Sequence, residues 1–210
     1  MAARGGVEKI KAIKSVRMTG KIYVENMQIG AVLLIKRPGA ARVDASFQGM
    51  KMVRSFDGES AWQIDMLEGK PDPEKMTGDD EKEMKDLADI DGPLVDYKAK
   101  GNTVELVGKE DLEATPVYKL KVTDKSGDIR YIYLDCQNYL ELKTSARRKV
   151  NGRDAVSDEY YSDYKAVGGV FFPHSIESKT DGEVEDRIVV DKIELNVDID
   201  DTIFKMPKKP

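Results

Sequence analysis

The sequence predicts a mainly β chain (α+β, weighted to strands): a long antiparallel sheet of about eleven strands, a short N-terminal helix and a central helical insertion. Three observations predict it. Apolar residues recur at every second position over most of the 210 residues, as in strands with one buried face. Turn residues occupy the short intervals between these runs, so consecutive strands pair as hairpins. Only Asp79–Asp89 concentrates helix formers inside the chain, with acids in its first turn where the helix dipole favours them.

In chain order, Val7–Lys14 carries helical spacing with Ile10 and Ile13 on its buried side. Val16, Met18, Ile22 and Val24 then alternate with polar residues. Strands follow at Ile29–Lys36, Ala41–Gln48, Met50–Phe56 and Ser60–Ile64, separated by Glu25-Asn26, Pro38-Gly39, Gly49 and Asp57-Gly58. Gly69–Pro73 has the composition of a loop, and Pro93 suits the start of a second short helix through Leu94, Val95 and Tyr97. Strands resume at Thr103–Gly108, Pro116–Thr123, Ile129–Asp135, Leu140–Val150, Ser157–Ala166, Val170–Lys179 and Arg187–Asn196. Asn151-Gly152 is a strong hairpin turn, and Asp200–Met206 fits one helical turn. A sheet this long curls or closes. No linker, low-complexity tract or repeat divides the chain, which predicts one domain over residues 1–210 with a helical insertion at about 74–98.

Composition excludes several functions. Net charge is −5, with charged residues making up 35% of the chain and Lys and Arg interleaved with acids. That pattern gives solvated faces and argues against nucleic acid, which needs clustered cations. One cysteine, Cys136, and one histidine, His174, leave no internal disulfide and no ordinary structural zinc site. The longest apolar run, Ile29–Ile35, is far short of a membrane-spanning helix. No cofactor is expected. Neither Cys136 nor His174 sits in a nucleophile motif, and the acidic run Asp79–Asp91 lacks calcium-loop spacing.

Several stretches are similar to a known family. Gly20-Lys-Ile, Ala31-Val-Leu-Leu-Ile-Lys-Arg-Pro-Gly39, Val53, Phe56-Asp-Gly58 and Trp62 resemble the N-terminal half of periplasmic lipoprotein carriers. The tail Asp200-Asp-Thr-Ile-Phe-Lys-Met-Pro207 and the opening Ala3-Arg-Gly-Gly6 to Thr19-Gly20 resemble outer-membrane lipoprotein-sorting proteins of the LolA/LolB-like class. The resemblance implies a half-open β-barrel around helices that act as a lid. It implies a cavity for the acyl chains of lipoproteins or lipids, and no bond chemistry. It also implies inner- or outer-membrane transport components as partners, a monomeric carrier, and the periplasm as its compartment. The chain begins Met-Ala-Ala-Arg-Gly-Gly without a basic-then-apolar leader pattern; it is either cytosolic or has lost a leader, and the resemblance implies the second. Two other functions compete: an envelope sensor or interaction module that detects lipid or lipoprotein with the same fold, and a lipid or glycan hydrolase.

Arg37 is the sharpest candidate. Counting by twos from Ile29 through Ala31, Leu33 and Ile35 ends on it, which sets a guanidinium at the rim of an apolar face. The resemblance implies that Arg37 bonds lid-helix carbonyls and holds the lid shut, a task for its planar fork of donors. The plain alternative is a strand-end arginine whose stem covers apolar surface while its head reaches water. The other expected ligand contacts are apolar: Val43 and Phe47 on one strand face, Met50 and Met52 on another, Trp62 and Ile64 on a third, with Leu87, Leu94 and Tyr97 in the insertion. Each taken alone would serve equally as core. Together they suit an acyl chain, and methionine adapts its shape at little cost.

Overall fold

The period-two segments become fifteen strands in a computed structural model that describes residues 2–150 and 153–208, the side chain of Val150 excepted. A 3-10 turn (Ala2–Arg4) and helix α1 (Val7–Ala12) precede β1 (Ser15–Val24), β2 (Met27–Lys36), β3 (Ala40–Phe47), β4 (Met50–Phe56), β5 (Ala61–Asp65) and β6 (Lys70–Lys75). Helix α2 (Asp79–Leu87) comes next. Then follow β7 (Thr103–Leu112), β8 (Thr115–Thr123), β9 (Ile129–Asp135), β10 (Glu141–Val150) and β11 (Arg153–Ser162). The chain ends with β12 (Lys165–Val167), β13 (Val170–Phe172), β14 (Ser175–Thr180), β15 (Glu183–Leu195) and a 3-10 turn (Asp201–Phe204).

Thirteen strands form one antiparallel sheet in the order β6-β5-β4-β3-β2-β1-β15-β14-β11-β10-β9-β8-β7, and β12 and β13 make a separate hairpin. The end strands β6 and β7 do not pair with each other, so the sheet is open, as the mainly β expectation required. The two helices fall where the sequence put them, at the N-terminus and in the middle.

Three expectations are corrected. Gly69–Pro73 is not a loop throughout, since Lys70–Lys75 forms β6 with Pro71 and Pro73 inside it. Proline is tolerated there because β6 is an edge strand with ladder bonds on one side only. No helix follows Pro93, and residues 94–97 form turns. Asp96 there takes the left-handed backbone (φ 50) that a helix cannot use. The expected strands Ser157–Ala166 and Val170–Lys179 are each broken. Asp163 is left-handed (φ 53) between β11 and β12, and Pro173, with no N–H for a ladder, separates β13 from β14. The Asn151-Gly152 turn lies outside the described residues.

The chain packs as two compact units. The first comprises residues 10–90 with 189–208 and holds β1–β6, α2, the C-terminal half of β15 and the C-terminal 3-10 turn. Each face of its sheet carries one packed cluster. On one, Leu34, Ile199 and Phe204 form a buried cluster joined by Val32, Ala40, Val197 and Ile203. On the other, Ala41, Phe56, Ala61 and Met76 pack against Met84 and Ala88 of the α2 segment. Gly20 is needed in β1 because a Cβ there would lie 2.2 Å from the Val189 carbonyl oxygen of β15.

The second unit comprises residues 2–9 with 91–188. It holds β7–β14, the start of β15, and the N-terminal 3-10 turn, whose Gly5 passes so close to Gly169 that a Cβ would fall 2.1 Å from its carbonyl oxygen.

Candidate functional site: an apolar sheet face in the first unit

Cross-strand register turns the alternation of β1–β5 into rows. Ile35 of β2 pairs with Val16 of β1 and Ala41 of β3, Ala41 with Phe56 of β4, and Phe56 with Ala61 of β5. Paired residues share a face, so this first row lies on the α2 side, where Ala41, Phe56 and Ala61 join the helix core. Two residues along, the second row is Met18, Leu33, Val43, Arg54 and Gln63. The third is Gly20, Ala31, Ala45, Met52 and Asp65. Phe47 pairs with Met50, and Ile22 with Ile29, two residues further still.

The first row is buried. Beyond it, Met18, Leu33, Val43, Ala31, Met52, Phe47 and Met50 are all half-buried. The result is a contiguous apolar patch whose side chains keep part of their surface open, with Arg54 as its single cation. A monomer of this size ordinarily leaves large apolar side chains scattered, and an adjacent set of them marks a binding surface.

Arg37 lies one step past Ile35 on the same face. Its Nε donates to the Ile13 carbonyl at 2.6 Å and its Nη2 to the Ile10 carbonyl at 3.2 Å. Its backbone N–H also donates to the Lys14 carbonyl at 2.9 Å. These acceptors belong to the C-terminal end of α1 and the residues just past it, where carbonyls lack helical partners and the dipole favours a cation. The carbonyls engaged are those of the N-terminal helix and the residues that follow it.

Val43 and Phe47 of β3 and Met50 and Met52 of β4 are thus brought onto one face across a single strand turn. Leu87 of α2 packs at the edge of the helix core over the same face. Trp62 and Ile64 are not with them. Trp62 pairs with Ser55 and Ile64 with Val53, which puts both on the opposite face. Trp62 is 2% exposed, its Nε1 donates to the Phe204 carbonyl at 2.7 Å, and the Arg42 guanidinium lies 5.6 Å from its ring centre. It is a core residue under the C-terminal turn. Leu94 and Tyr97 are half-buried members of the second unit.

The second unit has its own concentration of polar groups, which the sequence did not single out. Thr144 of β10 pairs with Glu159 of β11 and Ile132 of β9. Thr144 Oγ1 donates to Glu141 at 2.5 Å, the Tyr161 hydroxyl donates to Glu159, and the Tyr164 hydroxyl donates to the Glu141 carbonyl at 2.7 Å. Withdrawal from water raises the Glu141 carboxyl above its ordinary range, with Glu159 adding to the rise and Thr144, Arg4 and Arg130 opposing it. The same withdrawal lifts the phenols of Tyr161 and Tyr164. Only their interleaving with apolar residues along β10 and β11 hinted at this, and charged residues are interspersed in most strands of the chain.

The remaining chemistry-bearing residues are structural. His174 is 6% exposed with Nδ1 3.1 Å from the Phe172 carbonyl, and Cys136 follows β9 in a turn. Among the described residues no three His, Cys, Asp or Glu side chains are grouped to hold a metal ion, and no helix is long and apolar enough to cross a membrane.

No family model matches the sequence, and no curated protein matches it. Solved structures do share the fold. A DUF1329 family protein from Desulfovibrio piger has a TM-score of 0.65 at 13% identity, over 94% of this chain and 92% of that one. A Vibrio parahaemolyticus domain, provisionally described as an outer membrane lipoprotein-sorting protein, has a TM-score of 0.61 at 12% identity, over 96% and 97%. A LolA superfamily protein from Nitrosomonas europaea has a TM-score of 0.58 at 16% identity, over 95% of each chain. The fold is therefore LolA/LolB-like.

Proposed function

We propose that this chain is a non-enzymatic carrier in the periplasm, which holds the acyl chains of lipoproteins or lipids on the apolar face of its first unit and sorts them toward the outer membrane. The observation that carries this reading is the half-buried set Leu33, Val43, Phe47, Met50 and Met52, contiguous across β2–β4 and only partly covered. Each methylene removed from water contributes about 0.8 kcal/mol, so about twelve methylenes half withdrawn gain about 5 kcal/mol. That is enough to hold a ligand and small enough to release it. Two of the five residues are methionines, which repack around chains of different length. The LolA-like fold, one of whose bearers is described as a lipoprotein-sorting protein, supports the same assignment.

Arg37 gives such a carrier its control. By bonding the end of α1 it holds that helix against the sheet, and exchange of ligand requires those bonds to open. Binding and release of a fluorescent acyl probe test both parts. Met52→Glu and Val43→Glu should each weaken binding at least about tenfold, because a carboxylate would be buried beside the chain. Ile64→Gln, on the opposite face, should leave it unchanged. Arg37→Leu should speed release. Equal effects of Met52→Glu and Ile64→Gln would reject the apolar face as the site. Unchanged release in Arg37→Leu would remove Arg37 from the mechanism. Native mass spectrometry of protein from its own host then identifies the cargo class.

A further inference from the structure

Arg54 is the only charged side chain in the second row of the apolar face, flanked by Val43 and Gln63 across the ladder and by Met52 and Phe56 along its own strand. Its Nη2 lies 3.3 Å from Glu83 Oε2 and 3.9 Å from Asp80 Oδ1 on α2. Both are loose contacts for a charge-assisted bond, which closes to about 2.8 Å. Its Nε is buried with no hydrogen-bond partner among the described residues. A guanidinium has donors only, and a buried donor left unpaired is costly. The position is one where a hydrophobic residue would complete the face, yet it holds a buried N–H without an acceptor.

We propose that Arg54 is the head-group residue of this face: its Nε takes an oxygen acceptor at the polar end of an acyl chain, a carboxylate or an ester carbonyl, while the chain lies along Val43, Met52 and Met50. The inference rests on the acyl-binding reading and adds the ligand's polarity and orientation to it. The spacing fits. Arg54 and Met50 are four residues apart on one strand, about 13 Å, within reach of a medium-length acyl chain. Nε and Nη2 point to the same side of a guanidinium, so a carboxylate that takes both displaces Glu83 from Nη2. Glu83 thus competes with an anionic ligand, and binding of one loosens the tie between β4 and α2.

Three probes of equal length and different head groups decide it: cis-parinaric acid, its methyl ester, and octadecylamine as a competitor. Wild-type protein should prefer the acid and the ester over the amine by about tenfold or more. Arg54→Met should erase that preference while retaining affinity for the chain, and Arg54→Lys should retain part of it for the acid alone. Glu83→Gln should tighten the acid severalfold and leave the ester unchanged, an effect that a merely structural ion pair would not produce and one that does not depend on how Arg54→Met folds. A ranking of the three probes that is the same in Arg54→Met, or acid binding unmoved by Glu83→Gln, overturns the assignment of Arg54 and leaves the acyl-binding face standing. Failure of all three probes to bind the wild type overturns that face, and Arg54 with it.

Discussion

At the scale of single residues, Arg37 and Glu141 show two ways in which a polar group is accommodated inside a sheet. Arg37 places two of its donors on backbone carbonyls at the end of α1, where the helix dipole favours a cation. Glu141 has a hydroxyl partner in Thr144 and is still short of solvation, so its carboxyl holds its proton to higher pH than usual. The sign follows from linkage. A carboxyl whose folded pKa lies above its unfolded value of 4.5 binds more protons in the folded state. Its contribution to stability is full below that value and is lost as pH rises through the folded pKa. Arg4 and Arg130 offset part of the loss, and Glu159 adds to it. Glu141→Gln removes the titration. Denaturant midpoints measured from about pH 4 to about pH 7 should therefore show the variant gaining on the wild type as pH rises. Parallel curves across that range would mean the carboxyl ionises as freely in the fold as in the unfolded chain.

At the scale of elements, the C-terminal 3-10 turn acts as a strap across one face of the first unit. Phe204 is 1% exposed against Leu34 and Ile199, and its carbonyl accepts from both Trp62 Nε1 and Ser55 Oγ. Lys36 and Arg42 fix neighbouring turns through the Ile199 and Ile203 carbonyls at 2.7 and 2.6 Å. Phe204→Ala should cost about 3–5 kcal/mol. Since Trp62 is the chain's one tryptophan, its emission should shift to the red as water reaches the indole. A cost below about 1 kcal/mol with unshifted emission would show that the strap is dispensable. The same element explains what could be read beforehand. Alternation located nearly every strand, and the final turn was visible in Asp200, whose carboxylate caps it by accepting from Thr202 N–H at 2.8 Å. Alternation names two faces of a strand, however, and does not say which one a distant segment will cover. Sequence alone therefore leaves Trp62 in the same apolar set as Val43 and Phe47, although register puts it on the opposite face of the sheet. The turn from β7 to β8 was equally hidden. Glu113 and Ala114 both adopt positive φ (49 and 69) without the Gly or Asn that usually announces such a hairpin. Arg54 escaped notice because a charge within a strand is ordinary until its neighbours across the ladder are known to be apolar.

At the scale of the whole molecule, the charge distribution decides how the chain would meet a membrane. The chain carries 34 Lys and Arg against 39 Asp and Glu, and several of its lysines are neutralised locally. On the second unit Lys119, Lys143 and Lys179 lie over Tyr131, Tyr133 and Tyr160. Each also pairs with an acid, Glu110, Asp158 and Glu177, at 3.1, 2.7 and 3.1 Å. These lysines add no net attraction to an anionic surface, so nothing in them offsets the repulsion expected from a net charge of −5. That repulsion reaches about 8 Å at physiological ionic strength. If the chain exchanges acyl ligands, its unaided exchange with bilayers should be slowest where the surface is most negative. Transfer of a fluorescent acyl probe from the protein to vesicles should slow as anionic lipid replaces zwitterionic lipid, and added salt should restore the rate. Faster transfer to anionic vesicles would reveal a basic docking face that net charge conceals. Indifference to both lipid charge and salt would mean that the ligand leaves into water before it meets the bilayer. Under the expected outcome, delivery to an anionic membrane at a useful rate calls for a receptor that replaces electrostatic attraction with specific contact, which agrees with a carrier that works between membrane-bound partners.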